Sequence, residues 1–286
     1  MAGITALKPA LVNPLKRKSK CIGHPNEKGG VGKTTTEYNQ AYRLAEQGKR
    51  VLIIDFDGQR NMSRTCLGSA EAVVLAERGF TSADLFNPAT VIDDVRVLTT
   101  PVHDNIHLIP AHKAKIADIM SSGKEFAKQL ILKPKELIYQ LDYDYILIDT
   151  PPSLGITQLS ALATIDYAFI PVAIDDFSNE GLKSLLHTIM GIKQSLNAQV
   201  ELAGIYVNFY EKPTNRIGEN PALDIENELK REYKNFLIDK YIPRSLSIKE
   251  ARMKGVAAWV KAPNGNAAVV GRRTREVIDL INARIK

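Results

Sequence analysis

Residues 26–36 read NEKGGVGKTTT. Gly29, Gly30 and Gly32 carry no side chains, so the backbone N–H groups around them and Val31 can close on an anion. Lys33 supplies a cation with the reach for the outer phosphates of a nucleotide. The hydroxyl of Thr34, with Thr35 beside it, suits a Mg²⁺ ligand. The string ends as the phosphate-binding pattern G-x-x-x-x-G-K-[ST] ends, yet Glu27 stands where that pattern has its first glycine, and a second lysine, Lys28, follows. Three carboxylates complete the set. Asp55 and Asp57 close the run VLIIDFD, and Asp149 closes YDYILID. Residues i and i+2 of an extended strand share a face, so Asp55 and Asp57 can point to one site. Carboxyl ends of strands are also where α/β sheets bind ligands. For any one of these acids, the simpler alternative is a carboxylate that only caps a strand.

These residues need elements to hold them. Apolar runs suited to buried strands recur at Val51–Asp55, Ile106–Pro110, Tyr145–Asp149, Tyr167–Val172, Leu202–Val207 and Phe236–Ile242. A first strand around Cys21 feeds the glycine-rich loop and ends by Gly23, since Pro25 cannot donate to a ladder. Helical patterns cover Thr34–Gln47, Glu125–Leu141, Gly181–Ser195, Asp224–Lys234 and Arg273–Arg284. Strand alternating with helix predicts an α/β fold, a mostly parallel central sheet with helices on both faces, of the P-loop NTPase type. Residues 19–286 read as a single domain. Residues 1–18, with two prolines, a basic run and no sustained period, read as a disordered basic tail. The segment Asn61–Thr100 is harder to assign and has room for short helices.

The 286 residues include no apolar stretch near the roughly 20 needed to span a bilayer, and the N-terminal run is broken by Lys8, Pro9 and Pro14. Two cysteines, Cys21 and Cys66, make neither a disulfide framework nor a zinc site, which points to a reducing cytoplasm. The histidines have no metal-ligand spacing. Residues 1–20 hold five Lys/Arg and no acid, and residues 230–286 hold 14 Lys/Arg against five acids. Basic ends on a more acidic body suit a polyanion, nucleic acid or anionic membrane. Lys249, Arg252 and Lys254 form one run, and Arg272, Arg273 and Arg275 open the last helix. With no base-reading motif beside them, they predict phosphate contacts without sequence preference. The competing reading is lysines and arginines on solvated helix faces.

The strings KGGVGKTTT, VLIIDFDGQRN, YDYILIDTPPS and IPRSLSIKEA, in that order, resemble the ParA-type DNA-partitioning ATPases of the ParA/MinD group, which carry this deviant Walker A loop. The resemblance implies a Mg²⁺-dependent, slow ATPase that forms a homodimer on ATP. In that dimer Lys28 reaches the partner subunit's nucleotide, a cation delivered across the interface to concentrated phosphate charge. It implies that Asp57 positions the attacking water, that Asp55, with Thr34, supports the Mg²⁺ region, and that Asp149 with Thr150-Pro151-Pro152 senses the γ-phosphate. Asn208, through its paired donor and acceptor, and Pro243, by packing, would serve adenine. It further implies non-specific DNA binding by the ATP dimer, stimulation by a centromere-binding ParB-like adaptor, and a cytoplasmic, nucleoid-associated protein.

There are departures: Glu27 replaces the group's usual Gln, Gly58 its Pro and Arg60 its Gly, and the last two flank Asp57. About twenty residues precede the first strand, too few for the helix-turn-helix domain of larger members. Two alternatives remain: an ATP-binding scaffold with little hydrolysis, and a MinD-like ATPase whose amphipathic C-terminal helix, with Val277, Ile278, Leu280, Ile281 and Ile285, meets a membrane. The same spacing fits a last helix packed on the sheet.

Overall fold

A computed structural model describes residues 3–122, 127–174, 178–210, 221–260, 262 and 265–286. Among these, nine strands form one sheet: β1 (Ala6–Leu7), β2 (Lys20–Gly23), β3 (Val51–Asp55), β4 (Val97–Thr99), β5 (Ile106–Ile109), β6 (Tyr145–Asp149), β7 (Tyr167–Ala173), β8 (Glu201–Tyr210) and β9 (Leu237–Pro243). Their order is β1-β4-β5-β3-β6-β2-β7-β8-β9. The seven from β5 to β9 run parallel, and β1 and β4 add an antiparallel edge.

Alternation along the strands sends side chains into two cores. Leu52, Ile54, Ile146 and Ile148 enter one, under α5 (Ala127–Ile138), α6 (Ile156–Thr164) and α7 (Asn179–Ser195). Ile22, Ile53, Leu147 and Phe169 enter the other, under α1 (Lys33–Glu46) and α10 (Gly265–Asn282). Burial on both faces explains why these strands read as continuous apolar runs rather than as alternating ones. From β2 the chain crosses to β3 on one side, and later strands add β7, β8 and β9 on the other. The break in order lies at β2, and its carboxyl end is the crevice where such sheets take ligands.

Two sequence expectations change, and two open readings are resolved. The N-terminal segment is not a disordered tail. Residues 3–18 are laid on the body: β1 pairs with β4, and Leu11 bridges Leu141. Arg17 forms a two-pronged pair with Asp166 at 2.7 and 2.9 Å and lies 3.9 Å from the centre of the Tyr139 ring. The unassigned segment 61–100 is α2 (Asn61–Leu67), α3 (Ser69–Arg78), two short 3₁₀ turns and β4. The last helix begins at Gly265, so Arg272, Arg273 and Arg275 lie within it rather than at its start. At Gly271 the helix crosses so close to the chain that a Cβ would come within 2.5 Å of the Ala258 carbonyl. Finally, the apolar stripe of α10 is spent inside: Val277, Ile278 and Ile281 are fully buried on the sheet. Among the described residues no helix is long and apolar enough to cross a membrane.

Candidate active site

The loop between β2 and α1 is held open by its glycines and closed by its lysine. Gly30 and Gly32 have φ of 79° and 87°, a left-handed backbone in which L side chains are strained. A Cβ on Gly32 would also fall onto the Asn208 amide. Gly32 is the residue before α1, so the helix's unpaired N–H groups face the crevice. Lys33 folds back inside the loop and donates to the carbonyls of Asn26 (2.9 Å) and Lys28 (2.8 Å). Burial lowers its pKa, and Asp149, Glu37 and Asp57 oppose that.

β3 and β6 are in register, which sets Asp55 beside Asp149. Asp149 accepts from the Thr34 hydroxyl at 2.9 and 3.1 Å. Burial pushes its carboxyl up to about 6; the Thr34 bond draws it down and the Asp57 charge raises it. Asp55, also fully buried, is raised well above the ordinary carboxylate range by burial and by Asp149. Its oxygens accept from the Asp57 N–H (3.0 Å) and from the Ser63 N–H and hydroxyl (2.9 and 2.7 Å). Asp55 thus clamps the turn that carries Asp57, while Asp57 itself accepts from the Gln59 N–H and lines the crevice.

The crevice is a cleft of about 910 Å³, within the size range of small-molecule sites. The loop glycines, Lys33, Thr34, Thr35, Asp57 and Thr150 line it. The Thr150 hydroxyl is buried without a partner, and Gly29 sits against Pro152. Among the described residues no three His, Cys, Asp or Glu side chains are grouped closely enough to hold a metal alone. A Mg²⁺ that shares its shell with phosphates and water needs only one or two protein ligands, and Thr34 with Asp149 fits that demand.

Other predicted residues fall elsewhere. Asn208, expected to read an adenine edge, is buried behind the loop: its amide donates to the Val31 carbonyl at 2.8 Å and its oxygen accepts from the Phe209 N–H. Pro243 is buried at the end of β9, and the residues that line the cleft there are Phe209, Arg244 and Ser245. Lys28 is exposed and lines, with Asn26, Glu27 and Val31, a hollow of about 150 Å³ beside α7 rather than the cleft. On α9 (Leu246–Met253), Lys249 and Arg252 line the cleft, whereas Lys254, Arg272 and Arg273 are exposed. Arg252, expected on an outer DNA-facing surface, is turned inward and half-buried.

Sequence reasoning missed three contributors. Glu37 is fully buried, accepts from the His24 N–H at 2.8 Å, and has its carboxyl raised well above the ordinary range by burial and by Asp149. A charged residue on the inward face of α1 is the signal that pointed to it. Ser63 holds Asp55. Phe209, at φ 55°, turns the chain into the cleft.

A parallel sheet whose central strand feeds this loop, opposite buried carboxylates, defines a P-loop nucleotide-binding protein. Comparison with known proteins narrows the class. A family model described as an AAA domain matches residues 19–202. The chain is 36% identical to the chromosome-partitioning ATPase Soj of Treponema pallidum over 237 residues, 83% of this chain and 88% of that one. Its fold matches a variant of Cyanothece McdA in complex with ATP (TM-score 0.72, 21% identity, 93% and 97% of the two chains). It also matches cobyrinic acid a,c-diamide synthase of Mycobacterium smegmatis with a bound ATP analogue and magnesium (TM-score 0.69, 22% identity, 91% and 93%). The chain belongs to the ParA/MinD family of P-loop ATPases.

Proposed function

We propose that the protein is an ATP-dependent, dimerising partition ATPase. It binds DNA without sequence preference as the ATP-bound pair, and a ParB-like centromere-binding adaptor stimulates its slow hydrolysis. The cofactors are ATP and Mg²⁺. Family membership and the cleft support nucleotide binding. The partitioning role rests on the Soj relative.

In this reading the loop N–H groups and Lys33 bind the phosphates, and Thr34 and Asp149 hold Mg²⁺, which neutralises charge on the phosphate oxygens. Asp57 orients the attacking water, and Asp55 fixes Asp57 through its N–H. Thr150, with Pro151 and Pro152 behind it, follows the terminal phosphate and couples its loss to opening of the pair. The exposed Lys254, Arg272 and Arg273 are the outward cations for DNA phosphates.

The observation that carries pairing is the placement of Lys28. It sits in the phosphate loop but lines the neighbouring hollow, which supports a reading in which its ammonium serves a nucleotide other than its own. The Lys28→Ala protein is expected to bind ATP yet elute as a monomer in size-exclusion chromatography with ATP and Mg²⁺, and to lose ATP-dependent retention on DNA. A Lys28→Ala protein that pairs and turns over ATP like the parent refutes this reading.

A further inference from the structure

We infer that Arg252 is a phosphate-binding residue of its own subunit's cleft, a cation supplied in cis from α9 toward the terminal phosphates of the nucleotide. The inference rests on the reading of the cleft as the nucleotide site. Ser245 caps α9 by accepting from the Ser247 N–H, and Ile248 roots the helix in the core. Residues 245, 248, 249 and 252 follow helical spacing, so one face of α9 forms a wall of the cleft opposite the phosphate loop. Arg252 is the last of that stripe.

Two features separate Arg252 from an ordinary surface arginine. Its guanidinium is half-buried, yet among the described residues it has neither a hydrogen-bond nor an ion-pair partner. A desolvated cation without a partner is costly, and such groups are paired in stable proteins. Burial disfavours its charge, and the Asp149 carboxylate, which grips Thr34, favours it. Arg252 lines the same cleft as Lys33, Thr34 and Asp57, the residues of its phosphate end. A planar guanidinium matches two phosphate oxygens at once, and a compact anion of high charge is the partner this wall lacks. The basic run that contains Arg252 therefore divides: Lys254 faces solvent and Arg252 faces the nucleotide.

The test is equilibrium titration of the full-length protein with fluorescent mant-ATP, mant-ADP and mant-AMP in Mg²⁺, for the parent, Arg252→Gln and Arg252→Lys, with thermal melts without nucleotide. Arg252→Gln is expected to bind mant-ATP about 10- to 100-fold more weakly, as for loss of a charge-assisted bond. Mant-AMP should be little affected, and the nucleotide-free melting temperature unchanged or higher, because an unpaired buried charge has gone. Arg252→Lys should recover part of the loss. Unchanged mant-ATP affinity, an equal loss for mant-AMP, or a lower melting temperature without nucleotide each overturns the inference. So does loss of DNA retention at saturating ATP with affinity intact, which would return Arg252 to the DNA surface. Failure of the parent itself to bind mant-ATP refutes the nucleotide reading, and the inference falls with it.

Discussion

Arg60 shows what a single backbone angle costs beside the site. It sits at φ 60° immediately before α2, and its Nε is buried without a partner. A left-handed conformation costs an L residue roughly 1–2 kcal/mol. That cost is why a glycine would suit this position, in a turn that must bring Asp57 into the cleft. Arg60→Gly is therefore expected to stabilise the nucleotide-free protein by about 1 kcal/mol in urea denaturation, and a destabilised variant would show that the arginine has an unseen compensating contact. Asn208 teaches the complementary lesson. Its amide suits recognition of a base, but the sequence does not reveal that it is buried and bonded to the Val31 carbonyl and the Phe209 N–H. Lys33, Thr34 and Asp149 were legible because each has one geometric task set by loop or strand position. Arg252 was not, because which way a helical residue turns depends on what its helix packs against.

Among the elements, the strands most readable from sequence were those buried on both faces. Val51–Asp55 and Tyr145–Asp149 appear with the expected bounds, since nothing but apolar side chains suits their setting. The N-terminal segment was unreadable for the opposite reason. Its strand has two residues, and its hold on the body comes from edge pairing and from two ion pairs distant in sequence, Lys8–Asp93 and Arg17–Asp166. Arg17 and Asp166 are only 10% and 13% exposed, so removing one leaves the other charged and desolvated. Arg17→Ala should cost about 3 kcal/mol in chemical denaturation, and a cost below about 1 kcal/mol would mark the segment as a loosely held strap.

At the scale of the molecule, the buried polar layer behind the phosphate loop makes stability depend on pH. His24 is fully buried, with Tyr206 at 2.8 Å on one ring nitrogen and Gln40 at 2.7 Å on the other. Burial lowers its pKa from 6.5 to about 4. As pH falls, the unfolded chain takes up this proton first, near 6.5, and the folded chain only near 4, so stability is lost across that window, by about 3 kcal/mol. The buried carboxyls of Glu37, Asp55 and Asp149, whose pKa values are raised, act in the opposite sense. The measurement that isolates His24 is thus a comparison of the parent with His24→Gln at pH 7 and pH 5. The parent should lose more stability between the two, and parallel losses would contradict the assignment.

One more property follows from where the ends of the chain lie. The Arg17–Asp166 pair stands at the amino-terminal entry to β7, and the Lys286 carbonyl accepts from the Tyr167 hydroxyl at 2.9 Å at that same entry. The cleft opens on the far side of the sheet, about a strand's length away. A fluorophore or tether attached at Lys286 therefore hangs from the end of the sheet opposite the cleft, so surface immobilisation through that residue leaves the cleft open.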